Sequence, residues 1–340
     1  MKYVLSIETS CDDTSVAIIN EKREVQCCLV ASQDLEHSPF GGIVPEIASR
    51  NHTAHLLPLI DQAMGKSQIS WNDVLGIAAT NRPGLVGSLI VGLVTAKTLA
   101  ISFKKPFIGI HHIEGHIMAP FLKDETYEGA EFYNESFIAL AVSGGHTQLY
   151  LVNGFGNYQT LGQTIDDAAG EAFDKFAKML GLPYPGGVQV DKLAQKGDPK
   201  SYTFPRPLIK EDNYNFSFSG LKSSAQRMLS KMSEEEIETN KTNLCASYQQ
   251  AIVDVLSFKL EKAIKKHKVK YFVVSGGVSA NSGLRKASQS LAQKLNVELA
   301  IPPLRYCTDN AAMISIVGLM RLQRGESSPQ ELAPFPRAPL

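Results

Sequence analysis

The chain of 340 residues has few cysteines, no net charge and no long hydrophobic run. Its five cysteines are never spaced as Cys-x-x-Cys, which argues against a disulfide framework or a zinc knuckle and favours a reducing compartment. Lysine plus arginine and aspartate plus glutamate each total 34, so a broad basic surface for nucleic acid is not expected. No segment reaches the roughly 18 uncharged apolar residues of a membrane span. Carboxylates at Glu8, Asp12 and Asp13 also argue against a signal peptide, and we expect a cytoplasmic protein without membrane contact.

Several nucleotide-binding and protease motifs are absent from the sequence. Neither GxGxxG followed by a helix nor GxxxxGK[ST] occurs, which argues against Rossmann and P-loop proteins. His112 is followed by Ile113 and not by the glutamate of HExxH. Glu114 is followed by Gly115, so the inverted HxxEH motif fails as well. The spacing therefore disfavours a zinc-dependent peptidase.

Apolar segments on either side of a polar turn occur twice. They lie at residues 3–7 and 15–19, and again at 137–142 and 148–152, about 134 residues further on, with helical stretches between the copies. This weak internal duplication predicts a mixed α/β fold with two similar lobes. Further strands, apolar enough to be covered on both faces, are expected at residues 74–79, 106–110 and 271–274.

The length of the chain predicts two domains or lobes. We expect an N-terminal lobe of residues 1–108 plus about 307–324. Residues 109–306 would form a C-terminal lobe that carries the metal and nucleotide site. Residues 325–340, with four prolines, are expected to form an extended tail. The polar segment 204–241 is interpreted as an insertion or flap and not as core.

Two histidines have the spacing of metal ligands. His112 and His116 follow a predicted strand and should lie on one helical face, about 5–6 Å apart at Cβ. The alternative is that they are polar caps at the end of the strand. Asp309 precedes an apolar helix at residues 311–322 and is either its N-cap or a third ligand.

Two glycine turns also follow predicted strands, at Ser143-Gly-Gly145 and Ser275-Gly-Gly277. Glycines there let backbone amides approach a phosphate or nucleoside closely. Together with the acidic first turn of Asp12 and Asp13, they predict a nucleotide clamp that faces a cleft between the lobes.

Charged runs are less informative. Asp167, Glu171 and Asp174 would form one helical stripe that holds ribose hydroxyls or Mg²⁺, or that is simply solvated. The basic run at residues 265–270 is interpreted as a solvated helix end and not as an RNA contact.

In their order along the chain, these motifs resemble those of the bacterial TsaD family. Its members are tRNA N6-adenosine threonylcarbamoyltransferases, once called O-sialoglycoprotein endopeptidases. The resemblance spans residues 3 to about 320 and is carried by Glu8-Thr-Ser-Cys-Asp12, Val44-Pro-Glu-Ile-Ala-Ser-Arg50, Pro83-Gly-Leu-Val-Gly-Ser88, His112-Ile-Glu-Gly-His116, Val142-Ser-Gly-Gly-His-Thr147, the segment 166–175, Phe216-Ser-Phe-Ser-Gly-Leu-Lys222, Gly276-Gly-Val-Ser-Ala-Asn281 and Cys307-Thr-Asp-Asn310.

The resemblance implies the actin, sugar-kinase and Hsp70-like (ASKHA) fold. It implies transfer of a threonylcarbamoyl group from threonylcarbamoyl-adenylate to N6 of adenosine 37 in tRNAs that read ANN codons, which forms t6A and releases AMP. It also implies two protein partners, a TsaB-like ASKHA paralogue and a TsaE-like P-loop ATPase. The alternatives are a phosphotransferase of the same fold, which does not explain the histidine pair, and a metalloprotease.

The resemblance also implies roles for particular residues. For that chemistry, Asp12 or Asp13 is the expected catalytic carboxylate, either accepting the amine proton or holding the ion through water, and Mg²⁺ could accompany the nucleotide. One Fe²⁺ or Zn²⁺ per subunit would be held by His112, His116 and Asp309. The implied nucleotide-binding residues are Ala141, Val142, Ser143, Gly144, Gly145, Asp174, Gly187, Asp191 and Asn281. Departures from the family pattern are Asp13 for glutamate, Arg82 for glycine and Val188 for proline.

Overall fold

A computed structural model of the chain describes residues 1–40 and 42–340. Elements are numbered in chain order. Its strands are β1 (Tyr3–Glu8), β2 (Thr14–Asn20), β3 (Val25–Ala31), β4 (Val74–Arg82), β5 (Phe107–His111), β6 (Ser136–Val142), β7 (Thr147–Asn153), β8 (Tyr158–Gln163), β9 (Tyr271–Ser275) and β10 (Glu298–Ala300). Its α-helices are α1 (Asp34–His37), α2 (Pro45–Ser67), α3 (Val86–Ser102), α4 (His112–Met118), α5 (Ala169–Met179), α6 (Gly186–Ala194), α7 (Ser219–Leu229), α8 (Glu234–His267), α9 (Ser282–Leu295) and α10 (Ala311–Gln323).

The strands form two five-stranded sheets with the same topology. The first has the order β3-β2-β1-β4-β5 and the second the order β8-β7-β6-β9-β10. In each sheet the first three strands of the chain pair antiparallel, and the later two add in parallel beside the first. The predicted duplication and the mixed α/β class are therefore confirmed, and the correspondence extends to all five strands.

The chain divides into two compact units, Met1–Glu131 with Asp309–Leu340 and Phe132–Thr308. The first unit extends beyond residue 108, because α4 follows β5 without a linker and packs against α10. His112 and His116 therefore lie in the first unit and not in the second lobe. The tail after residue 324 also belongs to the first unit, and among the described residues it contains no helix or strand.

The first sheet is covered on both faces. Leu5 and Ile7 of β1 belong to a buried cluster with residues of α2 and α3. Val4 points to the opposite face, because side chains alternate along a strand, and there it lies beside Gly318 of α10. A Cβ at Gly318 would lie 2.6 Å from that of Ala78 in β4, so glycine allows α10 to lie close to the sheet.

The second unit buries much of the segment that was interpreted as a flap. Phe204, Phe216 and Phe218 are at most 1% exposed and belong to the core of this unit, so that interpretation is wrong. The segment also contains α7 and the start of α8. A capping box begins α8, in which the Ser233 hydroxyl accepts from the Glu236 amide and the Glu236 carboxylate accepts from the Ser233 amide.

No helix in the described part of the chain has the length and apolar character that a membrane crossing needs.

Gly276, which follows β9, is predicted to be intolerant of a side chain. Its φ is +87°, and a Cβ would lie 2.4 Å from the carbonyl oxygen of Val142. Gly276→Ala should therefore lower the free energy of unfolding by about 2–4 kcal/mol in urea titrations. The neighbouring Gly277→Ala is the control, since its Cβ would meet nothing within 4 Å, and it should cost less than about 0.5 kcal/mol. Equal effects of the two substitutions would contradict this prediction.

Candidate functional site

Helix α4 presents two histidines from a single turn. β5 ends at His111, and the His111 side chain caps the helix by accepting a hydrogen bond from the Ile113 amide at 3.2 Å. His112 and His116 follow on the same face, and their rings meet edge to face with centroids 4.6 Å apart. Both side chains are almost completely buried. The imidazole rings of the predicted i, i+4 pair are therefore adjacent in the structure.

Asp309 joins this pair from the start of α10. Its Oδ1 lies 3.1 Å from Nε2 of His116 and 3.4 Å from Nε2 of His112. The N-cap of α10 is instead Asn310, whose Oδ1 accepts from the Met313 amide at 3.0 Å. Asp309 is therefore not the helix cap, and its carboxylate is available to the two imidazoles.

The three side chains suit a transition-metal ion. One ligand atom from each can be chosen so that all three lie within 4.8 Å of one another. Neither ring nitrogen of His116 has a partner with hydrogen-bond geometry among the described residues, although both are buried. An ion held by Nε2, the nitrogen that faces Asp309, would supply the partner that this atom lacks, since buried polar atoms are rarely left unpaired. Two imidazoles and one carboxylate match the donor preferences of zinc and iron, and three protein ligands leave positions open for substrate.

Glu8 and Ser10, which the sequence analysis did not single out as ligand partners, hold His112 from behind. Oε2 of Glu8 and Oγ of Ser10 each lie 3.1 Å from His112 Nδ1. A carboxylate behind a histidine orients the ring so that Nε2 faces the metal. Burial opposes protonation of His112, but the carboxylates of Asp309 and Glu8 outweigh it and raise its pKa to about 10. The only sequence signal was a carboxylate at the end of a buried strand.

Two of the three residues between the histidines, Glu114 and Gly115, dock α4 onto α10. The buried carboxylate of Glu114 accepts two hydrogen bonds from Nη2 of Arg321, at 2.9 and 3.0 Å. A Cβ at Gly115 would lie 3.0–3.2 Å from atoms of Met313 and Ile314, so glycine allows the two helices to approach closely. This contact joins the element that carries the histidines to the element that follows Asp309.

The turn between β1 and β2 carries Asp12 and Asp13. His52 of α2 holds it, because its Nδ1 lies 2.7 Å from the Thr14 hydroxyl and its Nε2 lies 3.0 Å from the Cys11 carbonyl oxygen. Burial and the nearby charge of Asp309 raise the pKa of Asp12. Burial, followed by the charges of Asp12 and Asp309, raises the pKa of Asp13 to about 7. The two predicted catalytic carboxylates therefore share an electrostatic environment with Asp309.

In the second unit, the two glycine turns lie side by side at the carboxyl ends of β6 and β9. Ala141 of β6 pairs in register with Ser275 of β9, so the turns that follow these parallel strands are neighbours. Within the first turn, the Ser143 amide donates to the His146 carbonyl oxygen at 2.7 Å. A Cβ at Gly144 or Gly145 would meet no atom within 4 Å, so this turn is open on the side of the missing side chains.

The remaining predicted nucleotide-binding residues are linked to one another or to adjacent helices. Oδ1 of Asp174 accepts from the Gly187 amide at 3.0 Å, and Asp191 accepts from both the amide and the hydroxyl of Ser282. Asn281 caps α9 through Oδ1 and donates through Nδ2 to Gln249 at 2.7 Å. These contacts connect α5 to α6 and α6 to α9, so these side chains shape the region beside the glycine turns.

The acidic stripe is largely paired. Lys175 lies 2.8 Å from carboxylate oxygens of both Asp167 and Glu171. Asp166 accepts hydrogen bonds from Ser217, Phe218 and Ser219 at the start of α7. In the sequence, the lysine at position 175 was the signal that Asp167 and Glu171 form ion pairs.

Solved structures show the fold class of this chain. It is similar to HypF of T. kodakarensis, with a TM-score of 0.63 and 13% identity over 95% of this chain and 48% of that one. It is also similar to component A of the (R)-2-hydroxyglutaryl-CoA dehydratase of Acidaminococcus fermentans, with a TM-score of 0.55 and 15% identity over 95% and 100% of the two chains. The chain has an ASKHA fold, as expected.

Sequence comparisons identify the family. The chain is 56% identical to the tRNA N6-adenosine threonylcarbamoyltransferase of Bdellovibrio bacteriovorus over 99% of this chain and 98% of that protein. It is 49% identical to the enzyme of the same name from Pelobacter propionicus over 96% and 94% of the two chains. Residues 24–316 match the family model of TsaD, tRNA N6-adenosine threonylcarbamoyltransferase. The chain belongs to this family.

The ion pair between Glu114 and Arg321 should be a stabilising contact between α4 and α10. Glu114→Gln leaves the guanidinium without its buried carboxylate, so the free energy of unfolding should fall by about 1–3 kcal/mol in urea titrations. Glu326→Gln is the matched control, because this more exposed carboxylate contacts the same arginine. It should cost less than about 1 kcal/mol. A larger loss in the control than in Glu114→Gln would refute this assignment.

Proposed function

We propose that the chain transfers the threonylcarbamoyl group of threonylcarbamoyl-adenylate to N6 of the adenosine that follows the anticodon of tRNA. The bond that forms joins N6 to the carbamoyl carbon. The bond that breaks is the one between the carbamoyl carbon and the phosphate oxygen of the mixed anhydride. AMP therefore leaves, and N6 loses one proton. Membership of the TsaD family supports the reaction, and the convergence of His112, His116 and Asp309 is the structural observation that carries it.

No covalent nucleophile is needed for this reaction, because the donor is already activated as an anhydride. His112, His116 and Asp309 would hold Fe²⁺ or Zn²⁺, with Glu8 orienting the His112 ring. A bound ion would act as a Lewis acid that stabilises negative charge on the phosphate and carbamoyl oxygens.

Asp13 is the better of the two candidate proton acceptors. Its pKa of about 7 is close to neutral pH, which suits a group that takes the N6 proton during transfer. Ser32 hydrogen-bonds the Asp13 carboxylate, but Oδ1 is buried and has no hydrogen-bond partner among the described residues, so this oxygen can accept a proton. Asp12, with a raised pKa and an adjacent position, would then hold the turn or the amine.

The glycine turn of β6 and β7 would bind the adenylate. In the segment from Ala141 to Gly145, the backbone is open at Gly144 and Gly145, which have no side chain. A phosphate or nucleoside can therefore approach the backbone amides there. Asp174, Gly187, Asp191 and Asn281 would support this region through the contacts that join their helices. Lys175 pairs with two carboxylates of the acidic stripe, so these carboxylates are already neutralised and are poor ligands for Mg²⁺.

The partners would be tRNA, a TsaB-like ASKHA paralogue and a TsaE-like ATPase. Helix α3 supports a protein partner, because Val86, Ile90 and Val94 follow at intervals of four residues and are 44–55% exposed. Ile101 at the end of α3 is 64% exposed. Since the acceptor is tRNA, we expect the chain to act in the cytoplasm.

His112→Ala, His116→Ala or Asp309→Ala should each abolish metal binding and lower transfer to tRNA by more than about 100-fold, because each removes a ligand. Elemental analysis and transfer from synthetic threonylcarbamoyl-adenylate, in the presence of the partner proteins, would measure this. His267→Ala is the control, since it changes a histidine at the end of α8 in the other unit. Full activity of a metal-free double histidine variant would refute the proposed role of the metal site, and absence of transfer by the parent chain would refute the proposed function.

Gly145→Val tests the adenylate site separately. The new side chain enters space with no protein atom within 4 Å, so the free energy of unfolding should change by less than about 1 kcal/mol. AMP binding should weaken at least about tenfold in calorimetric titrations, because the side chain blocks approach to the backbone. Gly65→Val in α2 offers a control at an equally open glycine. Unchanged AMP affinity in Gly145→Val would remove this turn from the site.

A further inference from the structure

The C-terminal tail covers an outer strand of the first sheet. β5 is the last strand in the order β3-β2-β1-β4-β5, so one of its edges has no neighbouring strand in the described part of the chain. The Ser328 amide donates to the Phe107 carbonyl oxygen at 2.7 Å, and the Ser328 hydroxyl accepts from the Gly109 amide at 3.1 Å. The tail thereby satisfies backbone groups that an exposed edge would leave unpaired.

Contacts further along keep the tail on the same unit. The ammonium group of Lys97 in α3 donates to the Leu332 carbonyl oxygen. Leu332 packs over Gly109, because a Cβ at Gly109 would lie only 2.3 Å from Cδ2 of Leu332. The Phe335 amide then donates to the Asn81 carbonyl oxygen at 2.8 Å. These anchors bring the end of the tail to the carboxyl end of β4.

The last contact reaches the cap of the metal-site helix. His111 Nε2 lies 3.1 Å from the Ala338 carbonyl oxygen, and His111 Nδ1 accepts from the Ile113 amide. A neutral imidazole has one donor and one acceptor nitrogen, so both bonds are satisfied when the proton is on Nε2. The ring is 2% exposed. The tail carbonyl therefore selects the tautomer that can cap α4.

We infer that residues 328–338 form a strap that positions the metal-site helix through His111. By accepting from Nε2–H, Ala338 keeps the Nδ1 lone pair directed at the first turn of α4, and that turn places His112. His111 is thus a positioning residue. The inference rests on the proposed metal site for its functional meaning, but the coupling between strap and helix exists without a metal.

A double-mutant cycle tests this coupling in the full-length chain. Phe335→Pro removes the amide that ties the strap to Asn81. His111→Asn keeps a cap acceptor, since asparagine is a favoured N-cap, but its side chain is too short to reach Ala338. Arg337→Ala is the control for changes to the exposed strap surface. Amide hydrogen exchange of α4 is measured in each variant without metal, with amides of β2 as the reference for global unfolding.

The strap predicts unequal effects in the two backgrounds. Phe335→Pro should accelerate exchange of the Ile113 amide at least tenfold when His111 is present, but less than about threefold in His111→Asn. Arg337→Ala should change it less than twofold. Equal acceleration in both backgrounds, or none in the parent, would overturn the inference, because a general loss of stability does not depend on the cap.

Titration with Co²⁺ links the strap to the metal site. Phe335→Pro should raise the Co²⁺ dissociation constant about tenfold and shift the ligand-field absorption band, as changes behind a metal ligand do. If the parent chain binds no Co²⁺, the proposed metal site fails, while the exchange cycle still decides the coupling. If the parent binds Co²⁺ and Phe335→Pro binds it equally well, the metal site stands and the positioning role fails.

Discussion

The candidate metal centre depends on the packing of α4 against α10. The histidines are on one helix and Asp309 precedes the other, so the ligand atoms meet only if these helices are held in close contact. Gly115 permits the approach, and the buried Glu114 carboxylate secures it with two hydrogen bonds from Arg321. Glu114 and Gly115, two of the three residues between the histidines, therefore bring the ligands together.

The duplicated sheets show how one topology carries two kinds of chemistry. The turn between β1 and β2 is acidic, and its carboxylates lie in the field of Asp309, which opposes their ionisation. The equivalent turn between β6 and β7 has glycines and an open backbone. Strand pairing depends on the backbone and on burial, so side chains in the turns could diverge while the sheet stayed the same.

Strands β1, β2, β4, β5, β6, β7 and β9 were predictable because most of their side chains are buried and read as short apolar segments. Strands β3, β8 and β10 were not predicted, because many of their side chains are exposed or half-buried. The polar segment 204–241 was misread for the opposite reason. Its buried aromatic residues are separated by polar loop residues, so no helical or strand periodicity is visible around them. The capping box at Ser233 was present in the sequence and marks the true start of α8. Lys259 shows the limit of composition, since this lysine is fully buried and donates to the carbonyl oxygens of Glu211 and Asn213.

Seven of the ten described strands, the duplication, the family and the spacing of His112 and His116 could be read from the sequence, because these follow from local periodicity and ordered motifs. Tertiary structure alone decided which neighbour caps α10, since Asp309 and Asn310 are adjacent and either side chain could serve. It also decided that Glu8 lies behind His112 and that Ala338 reaches His111. These contacts join residues 104 and 227 positions apart. Such pairs are created by packing, and no local pattern records them.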